Sequence, residues 1–146
     1  MNKTDLEIIV DIRIKESKVL LEAECYEGAY YLAGYALECA IQACIAKQVQ
    51  QYDFPNKELT NQSYTHNFTD LLGAANLKQR LNQKEREDTD FKLNWSIAKD
   101  WNETARYKNS IEANIAKDLY EAITNSQSGI LIWLKKFWLE KYFQMK

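Results

Sequence analysis

Cys25-Tyr-Glu-Gly-Ala-Tyr-Tyr-Leu-Ala-Gly-Tyr-Ala-Leu-Glu-Cys-Ala-Ile-Gln-Ala-Cys-Ile-Ala-Lys47 is the stretch that decides the fold. It is small, aromatic and apolar and contains no proline. At about 100° per residue, Ala29, Leu32, Ala33, Ala36, Leu37, Ala40, Ile41 and Cys44 cover well over half of a helical circumference. A face that wide is buried only when other helices surround it, so Glu27 to Gln51 is expected to be the central helix. Gly34 in its interior costs about 1 kcal/mol relative to alanine, which predicts that another backbone approaches closely there. Tyr31, Tyr35, Glu38 and Gln42 form a polar-aromatic stripe on the remaining side. A carboxylate on an otherwise apolar helix needs a partner. The stripe is therefore either a hydrogen-bonded seam in a bundle or dimer interface, or the wall of a site.

The rest of the chain supplies the surrounding helices. Its 146 residues suit one domain spanning 1–146, and a 46% hydrophobic, 27% charged composition suits a globular core. One proline and four glycines leave little turn chemistry, which favours few long helices over many short strands. Helix one is expected from Thr4 to Glu24, with Thr4 and Glu7 as a capping box and Ile9, Ile12, Val19 and Ala23 facing inward. Tyr52 to Thr65, with the sole proline Pro55, reads as an exposed, mobile loop. A short helix follows from Asn67 to Ala75, burying Phe68, Leu71 and Leu72, with His66 just before it as a capping or packing residue. Leu77 to Glu87 is highly charged and mostly solvent-facing. Asp88-Thr-Asp90 starts another helix carrying Phe91, Leu93, Trp95, Ile97 and Ala98. Lys99 to Lys108 mixes aromatics with charges of both signs and shows no helical apolar stripe. A further helix begins near Ser110, with Asn109 and Glu112 as its cap signature and Ile115, Leu119, Ala122 and Ile123 as its inner face. Asn125 to Gly129 breaks it. The last helix carries Ile130, Leu131, Leu134, Phe137, Trp138 and Tyr142 and should dock firmly. The fold class read from these elements is all-α.

Several function classes find no support. The net charge of −2 argues against a generally basic nucleic-acid coat, though not against a local basic cleft. There is no apolar N-terminal run of the kind a signal peptide needs, and Ile130 to Leu134 is too short to span a bilayer. Cys25, Cys39 and Cys44 are odd in number and lack a C-x-x-C spacing, so buried reduced thiols in a cytoplasmic protein are expected. One histidine and three scattered cysteines give no metal constellation. No glycine-rich phosphate loop, dinucleotide fingerprint or zinc-protease motif is present, and no cofactor is implied. Glu85, Glu87, Asp88 and Asp90 lie in a charged run and read as solvated surface.

An arginine in helix one, Tyr26-Glu-Gly-Ala29, Tyr30-Tyr-Leu-Ala-Gly-Tyr-Ala-Leu-Glu38 with its trailing Ala-Ile-Gln-Ala, Tyr64-Thr-His66 with Leu71-Leu72, and the pair Arg106-Tyr107 follow one another in order. Together they resemble the HEPN domain (higher eukaryotes and prokaryotes nucleotide-binding), over almost the whole chain. The resemblance implies an up-and-down bundle of four to five main helices plus short ones, commonly a homodimer. It also implies a place in bacterial toxin–antitoxin pairs beside a nucleotidyltransferase-like partner, in abortive-infection or phage defence, or as an RNA-binding or RNA-cutting module. Nuclease-type members carry an arginine followed by four to six residues and then a histidine. There the arginine stabilises phosphate charge and the histidine assists attack by the RNA 2′-hydroxyl. With Arg106 as that arginine, Ile111, Glu112 and Ala113 stand where the histidine belongs, so the motif is incomplete.

Three readings follow. In the first, a HEPN-like dimer binds RNA, a nucleotide or a partner protein through Glu38, Arg106, Tyr107, Tyr31, Tyr35 and Trp101. Arg106 then contacts phosphate, an aromatic ring stacks on a base, and Glu38 orients Arg106. Such a cleft should be basic and concave. In the second, Arg106 works with His66 or Glu38 as a divergent ribonuclease toxin. Against the first stands a plainer arrangement, in which Glu38 and Arg106 simply form a buried ion pair between helices with Tyr107 packed over it. In the third, the protein is a purely structural or regulatory dimer whose Tyr- and Trp-rich surfaces make protein contacts, and no nucleic acid binds.

Overall fold

A computed structural model describes residues 2–52 and 65–139, without side-chain detail for 49–52. The loop expected over Tyr52 to Thr65 lies almost wholly outside the described residues, as does Tyr142. The described residues form seven α-helices, one 3-10 helix and no strand: an all-α helical bundle. The helices are α1 (Lys3–Glu22), α2 (Tyr26–Tyr52), α3 (Phe68–Ala74), α4 (Lys78–Glu87), α5 (Thr89–Ala98), α6 (Ala113–Thr124) and α7 (Ile130–Leu139), with the 3-10 helix Glu103–Tyr107 between α5 and α6. Among the described residues no helix is long and apolar enough to cross a membrane.

The central position of α2 follows from its composition. It packs against α1, α3, α6, α7 and the 3-10 helix. Ala33, Ala36, Leu37, Ala40, Ile41, Ala43 and Cys44 are fully buried along its length. Small side chains let neighbouring helices come close, and the large residues that fill the space come from those neighbours: Phe68, Leu119, Ile123, Ile130 and Leu134. Polar contacts fix α7 against α2. Trp138 Nε1 donates to the Ala40 carbonyl at 3.1 Å, and Lys47 Nζ donates to the Phe137 carbonyl at 2.7 Å. On the other side of α7, Trp133 meets Phe91 and Phe137 edge-on at 5.2 and 5.1 Å.

The turns have local causes. α1 ends in a Schellman closure, with Cys25 N–H bonding to the Leu20 carbonyl at 2.8 Å and Glu24 N–H to that of Leu21 at 3.1 Å. This puts Glu24 at φ 60°. Asn76, at φ 62°, closes α3 in the same way, with Leu77 N–H bonding to the Leu72 carbonyl at 3.0 Å. Asp88 caps α5 by accepting from Phe91 N–H at 3.0 Å, and its second oxygen accepts from Ser128 Oγ at 2.9 Å. That contact ties the start of α5 to the α6–α7 turn.

Several sequence expectations shift in register. Asn2, not Thr4, caps α1, because its Oδ1 accepts from Asp5 N–H at 2.8 Å. The inner face of α1 is Leu6, Val10 and Ser17 with Ile9 partly buried; Ile12, Val19 and Ala23 are exposed. Buried Ser17 decides this rotation by donating to the Ala29 carbonyl at 2.8 Å, a contact that apolar periodicity does not register. α6 begins after Glu112, which has no side-chain cap bond, so Asn109 does not cap it. Glu27 on α2 instead holds this approach by accepting from Ile111 N–H at 3.0 Å. Ala116 replaces Ile115 on the inner face, Leu93 is exposed, and Cys25 is exposed whereas Cys39 and Cys44 are buried.

Candidate functional site

The polar-aromatic stripe of α2 opens onto a cleft of about 580 Å³ lined by Arg13, Glu16, Tyr31, Leu32, Tyr35, Glu38, His66, Trp101, Glu103 and Arg106. Four elements build it. α1 supplies Arg13 and Glu16, α2 the tyrosines, Leu32 and Glu38, the approach to α3 His66, and the 101–106 segment Trp101, Glu103 and Arg106.

At its base Glu38 is almost fully buried, and His66 Nδ1 lies 2.9 Å from its Oε1. Burial pushes the Glu38 carboxyl up from its ordinary value, the hydrogen bond and charge of His66 oppose this, and nearby Glu103 adds to the rise. The backbone explains why His66 reaches Glu38. Asn67, not His66, caps α3 by accepting from Asp70 N–H at 3.0 Å, and Thr65 Oγ1 accepts from Asn67 N–H at 3.1 Å. The imidazole is thereby left to cross to α2, with its side chain 49% exposed against 5% for Glu38. With Nδ1 donating to the carboxylate, Nε2 is the acceptor of the neutral ring.

An aromatic series runs along one wall. Tyr35 and Tyr31 are parallel at 6.1 Å, Tyr31 meets Trp101 at 6.1 Å, and Trp101 stacks on Phe68 at 5.3 Å. Trp101 is buried, and it explains Gly34: a Cβ on Gly34 would lie 2.1 Å from the indole ring. The close neighbour of Gly34 is thus this ring, not the backbone expected from sequence. Trp101 Nε1 has no hydrogen-bond partner among the described residues. Stacking and burial of the indole offset a cost of about 1–3 kcal/mol for such a group.

Arg106 is exposed. It donates from Nη2 to the Tyr107 hydroxyl at 2.6 Å, and its guanidinium lies 4.8 Å from the centre of the same ring. It also interacts with Tyr31. The expected Glu38–Arg106 contact is absent: among the described residues Glu38 pairs with His66, and Arg106 stands at the rim. A buried Glu38–Arg106 ion pair is therefore excluded. Arg13, opposite, donates to Glu16 at 2.5 Å.

Of the residues singled out in the sequence, Glu38, His66, Arg106, Tyr31, Tyr35 and Trp101 line one cleft. Tyr107 is 73% exposed and reaches the cleft only through Arg106, and Gln42 is not part of the lining. The sequence singles out neither Glu16 nor Glu103, nor a place in the cleft for Arg13. The expected basic character is also corrected, because three carboxylates face two guanidiniums. Among the described residues no three His, Cys, Asp or Glu side chains converge as metal ligands. The chain matches no protein-family model, no curated protein and no solved structure, so the chemistry of the cleft rests on its own geometry.

Proposed function

We propose that this chain is a HEPN-like nucleotide- or RNA-binding regulatory protein whose ligand occupies the cleft above Glu38 and His66. One observation carries the reading: guanidiniums from two separate elements, Arg13 and Arg106, line an open cleft beside partly exposed Tyr31 and Tyr35. Guanidinium groups suit phosphate oxygens, and a tyrosine face suits a base. A volume near 580 Å³ is within the usual range for small-ligand sites, about 300–1,000 Å³, and is large enough for a nucleotide unit. The resemblance adds a setting: a homodimer with a nucleotidyltransferase-like antitoxin partner in a toxin–antitoxin or phage-defence system.

The test is anisotropy of a labelled short single-stranded RNA, with equilibrium dialysis of nucleotides, at low salt. The wild type should bind and lose affinity as salt rises. Arg13→Ala and Arg106→Ala should each weaken binding about tenfold, within the range for a lost charge-assisted contact. A wild type that binds neither RNA nor nucleotide leaves the structural interaction dimer standing.

A second reading, a metal-independent ribonuclease, is favoured by the Glu38–His66 hydrogen bond. A carboxylate that fixes Nδ1–H leaves Nε2 free to take a proton, in this case from an RNA 2′-hydroxyl, while Arg106 neutralises the phosphate. Cleavage should then fall to background in His66→Ala and Arg106→Ala. Equal background cleavage in the wild type and both variants rejects it.

A further inference from the structure

We infer that the cleft takes up its anionic ligand together with a proton, and that His66 carries that proton as a ligand-contacting cation. The inference rests on the phosphate-type reading of the cleft above and goes beyond it by making occupancy depend on pH.

The charges around the imidazole motivate it. α1 contributes Arg13 and Glu16, already paired to each other at 2.5 Å. α2 contributes Glu38, and the 3-10 helix contributes Glu103 and Arg106. Tyr35 is pushed up by burial, and Cys39 beside it is pushed up to about 11, so neither brings charge at neutral pH. Tyr31 adds a phenol to the same wall. With a neutral imidazole the cleft therefore holds one carboxylate more than it holds guanidiniums. A doubly charged phosphate-type group entering it meets an excess of its own sign. A proton on His66 removes that excess.

The geometry says where the proton goes. Glu38 occupies Nδ1 at 2.9 Å, so the proton adds at Nε2, away from α2 on a ring that is half exposed and lines the cleft. With Nδ1 held at the Glu38 carboxylate, Nε2 turns from acceptor to donor. Histidine is the side chain suited to change charge between pH 5 and 8. Binding linkage is reciprocal: an anion that prefers the protonated cleft must raise the proton affinity of His66 by the same factor.

Sulfate is the probe, because it stays doubly charged over this pH range and its own ionisation cannot imitate the effect. The chain has a single histidine, so the imidazole signals in an NMR titration belong to His66 without ambiguity. Sulfate is expected to bind about tenfold more tightly at pH 5.5 than at pH 8, within the usual range of site coupling. Saturating sulfate should raise the His66 titration midpoint by about one pH unit. His66→Gln, which keeps a polar side chain, should bind sulfate with no such pH dependence. Equal affinity at both pH values with an unmoved midpoint overturns proton coupling and leaves the anion site intact. Persistent pH dependence in His66→Gln also overturns it. Absence of sulfate binding at every pH overturns the anionic-ligand reading itself.

Discussion

Glu38 is a cleft residue whose chemistry burial changes. Burial raises its carboxyl from an ordinary 4.5, so the folded chain holds that proton more tightly than the unfolded chain does. The associated stability is fully present below pH 4.5 and is lost as pH rises through the raised folded value. Glu38→Gln cannot titrate, yet its amide oxygen can still accept from His66. Urea midpoints measured from pH 4 to pH 7 should therefore move in favour of the variant relative to wild type as pH rises. A constant difference across that range would show that the carboxyl is not perturbed in the way its burial requires.

At the scale of the element, two backbone positions are decided by what lies next to them. Gly34 leaves room for an indole that stacks on Phe68 at 5.3 Å and borders the cleft. A methyl group there would force Trp101 from its seat, so Gly34→Ala should cost about 1–3 kcal/mol despite alanine's better helix propensity. Urea denaturation followed by tryptophan fluorescence would report both the lost stability and the moved indole. Glu24 presents the opposite case. It holds φ 60° at the end of α1, a conformation that favours glycine, and its side chain is exposed. Glu24→Gly should stabilise the protein by about 0.5–1 kcal/mol, read as a higher thermal midpoint.

At the scale of the whole molecule, stability depends on the enclosure of α2. Leu134 on α7 is fully buried, and its carbonyl faces the Cys44 thiol at 4.0 Å, ninety positions earlier in the chain. Leu134→Ala should cost about 2–5 kcal/mol. Circular dichroism and tryptophan fluorescence should then show one shared, earlier urea transition. Non-coincident curves would mean that α7 unfolds separately from α2. The cleft depends on the same enclosure, because α1, α2, the approach to α3 and the 3-10 helix each supply part of its lining.

Sequence by itself determined the all-α class and the central place of α2, because a broad apolar circumference permits no other stable environment for a helix. It also determined the start of α5, where Asp88 caps through short-range geometry, whereas at α3 Asn67 takes the capping role expected of His66. Local caps and wide apolar faces act within a few residues or along one element, so their signals are written contiguously. The rotation of α1 was not legible, because Ile12 and Val19 fit a helical stripe as well as Leu6 and Val10 do. The long-range Ser17–Ala29 hydrogen bond breaks that tie. The members of the cleft were largely nameable, since Glu38 on an apolar helix demanded a partner. Which partner it found was decided by tertiary structure alone: His66 lies 28 positions away and arrives through the capped turn before α3, while Arg106 stops at the rim. A buried carboxylate states its need in the sequence, but only the packing of separate elements decides which side chain meets it.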